Sequence, residues 1–161
     1  MHVFPSTRRL LAAILAVVLV LVTSSPVHGQ IRVEGGPVEL VPGSAAAGQD
    51  PAPAVNDAAR LRYRLGSFGT RKVIVSTTCP GQQFDLSVQA RNVSRGTTQG
   101  AISLTDGMVS QDLIRDITLP NIFCLFLNCE GTATLQYRSV VRAEDGAGAD
   151  DHIVRYTILA Q

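Results

Sequence analysis

Apolar and polar residues alternate one for one through most of the chain beyond residue 60, the period of a β-strand with one face buried. Over residues 132–141, Ala133, Leu135, Tyr137 and Val141 share one face while Thr134, Gln136 and Arg138 share the other. Residues 152–159 repeat the pattern, with Val154, Tyr156 and Ile158 set against Arg155 and Thr157. The polar, glycine-bearing segment 144–151 between them predicts a turn, and the two strands a long hairpin that closes the domain. Phe84, Leu86, Val88 and Ala90 form the cleanest alternation upstream and are expected to face the core. Residues 60–65 alternate Arg60, Arg62 and Arg64 with apolar partners, and residues 72–77 resume a strand after Gly66 and Gly69. Asp106-Gly107, between residues 101–105 and 108–110, predicts a second hairpin, because both central residues of the favoured two-residue turn take positive φ. Residues 113–119 are weakly patterned and stop at Pro120.

This amounts to about seven or eight strands in roughly 100 residues, with a turn signal every dozen or so and no amphipathic helix. The expected fold is all-β, an immunoglobulin-like antiparallel β-sandwich. The chain has no tryptophan, so the antibody-type Cys-Trp-Cys core is absent. Residues 121–128 are the most apolar stretch of this region and are too short for a membrane span. Core is the expected role, with an exposed apolar patch bearing Phe123 and Phe126 as the alternative.

The N-terminus has a different character. Arg8 and Arg9 precede 13 uninterrupted apolar residues, 10–22, and a small polar region follows them. These are the three regions of a secretory signal peptide, with Val27 and Gly29 suited to the positions before cleavage. Residues 1–29 are expected to be removed, leaving no stable membrane span. Residues 30–59 are rich in Ala, Gly and Pro and read as a flexible linker, with too few large apolar side chains to offset the entropy of ordering; Ile31, Val33, Val38, Leu40 and Val41 could form a short added strand, so the linker reading applies most firmly from Pro42 onward. The sandwich is then assigned to residues 60–161.

Loss of Arg8 and Arg9 leaves 12 of the 14 basic side chains against 13 acidic ones, changing the formal net charge from +1 to −1. That balance gives no strong attraction to phosphates, so nucleic acid is not an expected partner. Arg60, Arg62 and Arg64 offer a basic face for an acidic glycan or protein, but charge on an exposed strand chiefly guards against edge-to-edge pairing.

Three cysteines in an exported chain suggest one disulfide and one remaining thiol. Cys79 and Cys129 each precede a long strand; an up-and-down count makes those strands parallel and places them in opposite sheets, which pairs Cys79 with Cys129. Other pairings remain open. Zinc is disfavoured, since after processing only His152 remains as a histidine partner, far along the chain. Glu144, Asp145, Asp150 and Asp151 could gather oxygen ligands around Ca²⁺, without EF-hand spacing; no other cofactor is expected. His152 beside Asp150 and Asp151 lacks a recognisable nucleophile elbow, and the acidic residues form no glycosidase motif.

Residues 79–92, Cys-Pro-Gly-Gln-Gln-Phe-Asp-Leu-Ser-Val-Gln-Ala-Arg-Asn, followed by the strand that reaches Asp106-Gly107, resemble the bacterial cell-adhesion-related immunoglobulin-like domains of exported proteins. Asn92-Val-Ser94 departs from that family's usual Asn-x-Gly and also forms a glycosylation sequon. The resemblance implies adhesion or scaffolding and carries no catalytic residues. The expected function is a secreted, periplasmic or cell-surface module that binds a protein or glycan without catalysis. Its candidate contacts are Asn92 and Arg95 in a loop, Phe123 and Phe126, and the acidic tip. The alternatives are a secreted hydrolase using paired carboxylates and a calcium-stabilised module.

Overall fold

A computed structural model describes residues 29–41, 52–66, 69–119, 124, 130–142, 145 and 148–161. Its strands are β1 (Gln30–Glu34), β2 (Ala52–Arg64), β3 (Arg71–Thr78), β4 (Asp85–Arg91), β5 (Thr97–Thr98), β6 (Ala101–Leu104), β7 (Gln111–Ile117), β8 (Glu130–Val141) and β9 (Ile153–Ala160). They form two sheets, a five-stranded one in the order β1-β2-β8-β4-β6 and a four-stranded one in the order β5-β7-β3-β9, with every pairing antiparallel. Among the described residues no helix is long and apolar enough to cross a membrane.

The alternating residues fill the space between the sheets. β2 contributes Ala59, Leu61 and Tyr63, β4 contributes Leu86, Val88 and Ala90, and β8 contributes Ala133, Leu135 and Tyr137. From the smaller sheet come Val73, Val75, Leu113, Ile114 and Ile117, with Val154, Tyr156 and Ile158 packed partly buried against them. Gly131 lies opposite Tyr63 on the neighbouring strand, and a Cβ there would fall 2.1 Å from the ring. The aromatic ring thus covers the glycine, filling the space a side chain would take.

Several expectations are corrected. The two C-terminal strands are not a hairpin: β8 pairs with β2 and β4, whereas β9 pairs with β3 in the other sheet. In the immunoglobulin order the last strand lies beside the one before it; here the two face one another across the core. Asp106-Gly107 likewise forms a turn without a hairpin, because β6 and β7 belong to different sheets. Gly107 has φ 67 but Asp106 is not in the positive region, and Met108 N donates to Thr105 O at 3.0 Å. That is the pattern of a type II turn rather than the primed turn of a two-residue hairpin.

The expected linker contains the short added strand allowed for its first part, as β1, and also the start of β2. β2 begins at Ala52 rather than near residue 60, and β1 pairs with it in register from Gln30↔Arg64 to Glu34↔Arg60. Residues 53–56 are exposed or half-buried, and this stretch is held by main-chain pairing to the end of β8, from Ala52↔Val141 to Asn56↔Tyr137. Beyond the reach of β1 this part of β2 is a sheet edge, where Pro53 is tolerated. Residues 42–51 lie outside the described residues.

The bridge between Cys79 and Cys129 is not formed, since Cys79 is a free, buried thiol. The strand count misplaced the sheets. β4 and β8 are antiparallel neighbours in one sheet, with Asp85 opposite Val140 and Arg91 opposite Thr134. Cys79, ahead of β4, therefore sits at the end where β8 finishes, while Glu130 begins β8 at the other end. Cys129 lies outside the described residues; Cys124 is buried and disulfide-bonded.

Candidate functional site

Three connections converge at the Cys79 end of the sandwich. Antiparallel pairing of β3 with β9 runs through Thr77↔Val154 to Thr78↔Ile153. One step further, Cys79 and His152 leave their strands side by side. Pro80 and Gly81 then occupy the central positions of a turn closed by Gln82 N donating to Cys79 O at 3.1 Å, with Gly81 at φ 78. Proline first and a positive-φ glycine second is the type II signature. This turn is fastened to the next one: Cys79 N donates to Asp106 Oδ1 at 2.7 Å and Asp106 N donates to Gln82 Oε1 at 2.8 Å.

Asp150 completes the group. Its carboxylate accepts the backbone N–H of Gln83 at 3.0 Å and that of Phe84 at 2.7 Å, which draws residues 148–152 over the turn. A Cβ at Gly148 would meet the flexible end of the Gln83 side chain, which places residue 148 directly against the turn. The Cys79 sulfur, a carboxylate oxygen of Asp150 and a ring nitrogen of His152 lie within 4.8 Å of one another. His152 Nε2 is 4.0 Å from Asp150 Oδ2, and Nδ1 is 3.3 Å from the hydroxyl of buried Thr77.

Burial sets the protonation of this group. It pushes the His152 pKa down, outweighing the upward pull of the charges on Asp150, Asp106 and Asp151. Burial also raises the Cys79 thiol, reinforced by the charge on Asp150 and opposed by a backbone hydrogen bond from Asp151. At neutral pH the site holds a neutral thiol and a neutral imidazole. A cysteine nucleophile needs the opposite, a lowered pKa and an open approach; Cys79 is 2% exposed. Sulfur, imidazole nitrogen and carboxylate oxygen together are instead a ligand set for a borderline-soft metal ion.

The remaining candidates are divided between the two ends. Asn92, exposed at φ 50, and half-buried Arg95 lie at the Glu130 end. Their loop is tied down: Ser94 N donates to Thr132 O at 2.9 Å, Thr132 N donates to Ser94 Oγ at 2.7 Å, Arg95 Nε donates to Glu130 O, and Tyr63 OH donates to Arg95 O. Of the acidic tip, the Asp145 carboxylate accepts Arg142 N at 2.6 Å and Asp151 is exposed. Asp145 and Asp150 thus each hold a different stretch of backbone. Phe123, Phe126 and Glu144 lie outside the described residues.

A cavity of about 450 Å³ at the Glu130 end is bordered by Arg32, Arg62, Arg64 and Glu130. Arg62 is already engaged there, with Glu34 at 2.7 Å and Glu130 at 3.3 Å, and Glu34 also holds Arg32 at 2.7 Å. The hydrogen bond from Arg62 holds the Glu34 carboxyl below its ordinary pKa. Of the three arginines of the expected basic face, Arg62 is thus the one held in ion pairs among the described residues.

Comparison with protein-family models, curated proteins and solved structures finds no match to this chain. Sequence reasoning missed the proximity of Cys79 to His152 because the two residues are far apart along the chain. A cysteine just past one strand and a histidine just ahead of another become neighbours when those strands pair antiparallel, and alternation alone does not say that β3 and β9 do so.

Proposed function

We propose that this chain is an exported, non-enzymatic binding module, akin to the bacterial cell-adhesion-related immunoglobulin-like domains, that contacts a protein or glycan through the Cys79 end of its sandwich. The observation that carries the reading is the exposure there of two large apolar side chains, Val109 at 85% and Ile153 at 59%. Val109 lies just before β7, whose first residue Gln111 opposes Val75, and Ile153 opens β9 opposite Thr78. Apolar side chains on connections at one end of a rigid two-sheet frame are the usual means by which such frames make contact. Burial of Cys79 favours the non-enzymatic reading over a cysteine hydrolase.

The test is binding of purified protein to a glycan array and to extracellular-matrix and envelope proteins, with the Val109→Asp/Ile153→Asp variant in parallel. Saturable binding by the wild type, lost in a variant with unchanged melting temperature, is the expected result. Equal binding by both proteins would move the contact elsewhere, and turnover in a panel of ester, peptide and glycoside substrates would replace the reading with an enzymatic one.

A further inference from the structure

We infer that Cys79, Asp150 and His152 form a binding site for a divalent transition-metal ion of the zinc type. Zinc accepts thiolate, imidazole and carboxylate ligands, and three protein ligands with a fourth position for water or an outside ligand is a familiar arrangement. The three donor atoms, within 4.8 Å of one another, need only a small contraction to meet one ion. In a tetrahedral site of ordinary bond lengths the ligand atoms stand about 3.3 to 3.7 Å apart, compared with 4.0 Å between His152 Nε2 and Asp150 Oδ2.

The surroundings of the ligands strengthen the case. Each ligand residue is anchored by hydrogen bonds; Asp150 Oδ2, which faces His152, accepts both the Gln83 and the Phe84 amide and gives up one of them, or yields to Oδ1, when it meets the ion. The Cys79 backbone N–H is held by Asp106, His152 Nδ1 by Thr77, and the Asp150 carboxylate by the Gln83 and Phe84 amides. Such outer partners fix ring orientation and tautomer at metal sites. The Thr77 contact leaves Nε2 on the side of Asp150, and a neutral imidazole has the lone pair a metal requires. As the sulfur–metal bond forms, the Cys79 proton passes to solvent. The thiolate and the Asp150 carboxylate then balance the dication, so the buried group carries no net charge. Asp106 and Asp151 add negative potential around it. A sulfur and an imidazole among three ligands select against Ca²⁺ and Mg²⁺, which take oxygen ligands.

The test is titration of purified, chelator-treated protein with cobalt(II) chloride. The expected result is a thiolate-to-cobalt charge-transfer band that saturates at one ion per chain, disappears on addition of zinc chloride and is absent in Cys79→Ser. Thr77→Val leaves all three ligands in place and removes only the partner of His152. It is expected to weaken binding about 10- to 100-fold, the usual cost of losing an outer-shell partner, and gives a readout that does not depend on Cys79→Ser folding. Absence of the band in wild-type protein with an intact far-ultraviolet dichroism spectrum would overturn the inference, as would a band that persists in folded Cys79→Ser or an affinity unchanged in Thr77→Val. This test is independent of partner binding: the metal site stands or falls whether or not Val109 and Ile153 make the proposed contact.

Discussion

The hydroxyls of Tyr137 and Tyr156 meet at 2.6 Å, and the two residues belong to different sheets. Tyr137 is on β8 and Tyr156 on β9, so consecutive strands that are not paired through their backbones are joined by side chains across the core. Removing one hydroxyl leaves the other without its partner in a buried setting, which costs about 1 to 3 kcal/mol. Tyr156→Phe and Tyr137→Phe are each expected to lower stability by that amount in urea unfolding. The double variant should lose less than their sum, because it leaves no orphaned hydroxyl.

Alkaline pH gives a second prediction. Burial is the leading cause that raises the pKa of Tyr63, Tyr137 and Tyr156, and the chain has no other tyrosine. Above about pH 10 the unfolded chain loses phenolic protons that the folded chain keeps, so stability falls as pH rises. The stabilising contribution is fully present below the unfolded-state value and is lost on the alkaline side. Phenolate absorbance should therefore appear together with loss of the dichroism of the folded chain. Ionisation near pH 10 with the fold intact would contradict the burial.

Gly131→Ala tests the covering of β8 by Tyr63. The added methyl group would meet Tyr63 Cε2 and Cζ, and overpacking of this kind costs about 1 to 3 kcal/mol. A lower melting temperature is expected, with partial recovery in Gly131→Ala/Tyr63→Leu. Full additivity of the two changes would show that the ring is not the obstacle.

Two glycines with similar backbones provide a comparison. Gly96 has φ 91 and Gly100 has φ 89, yet a Cβ at Gly96 would lie 2.5 Å from Arg115 O, while one at Gly100 meets nothing within 4 Å. Gly100→Ala should cost only backbone strain, about 1 kcal/mol. Gly96→Ala should cost clearly more, since the loop must also lift from β7; chemical unfolding of the two variants checks the order.

Cys79 is expected to resist iodoacetamide in the folded protein and react after denaturation, as followed by peptide mass spectrometry. Both its burial and its raised pKa suppress thiolate formation. Rapid labelling under native conditions would place the sulfur at the surface.

Strand faces were legible in the sequence where alternation is undisturbed. Leu86, Val88 and Ala90 are buried as expected, as are Ala133, Leu135 and Tyr137. Phe84 is only half-buried, because it precedes β4 and lies in the connection held by Asp150. β7 was obscure for a physical reason: its pairing with β3 slips twice, Leu113 and Ile114 are buried in succession, and Asp116 takes φ 56. Bulges of this kind erase the period on which the reading depends. Sheet membership was not legible at all, since alternation tells a strand which face to bury but not which neighbour to join. Both hairpin expectations and the cysteine pairing failed on that point, and the grouping of Cys79, Asp150 and His152 was hidden by it.

The middle strand of the larger sheet comes late in the chain. β2 and β4 both pair with β8, which starts at Glu130, and β3 gains its second neighbour only with β9. A polypeptide emerging N-terminus first therefore carries early strands that cannot settle until most of the chain has appeared. Assembly governed by such distant partners is slow, on a millisecond-to-second scale. Until β8 arrives, the edges of β2 and β4 that it will cover stay open to pairing with other chains.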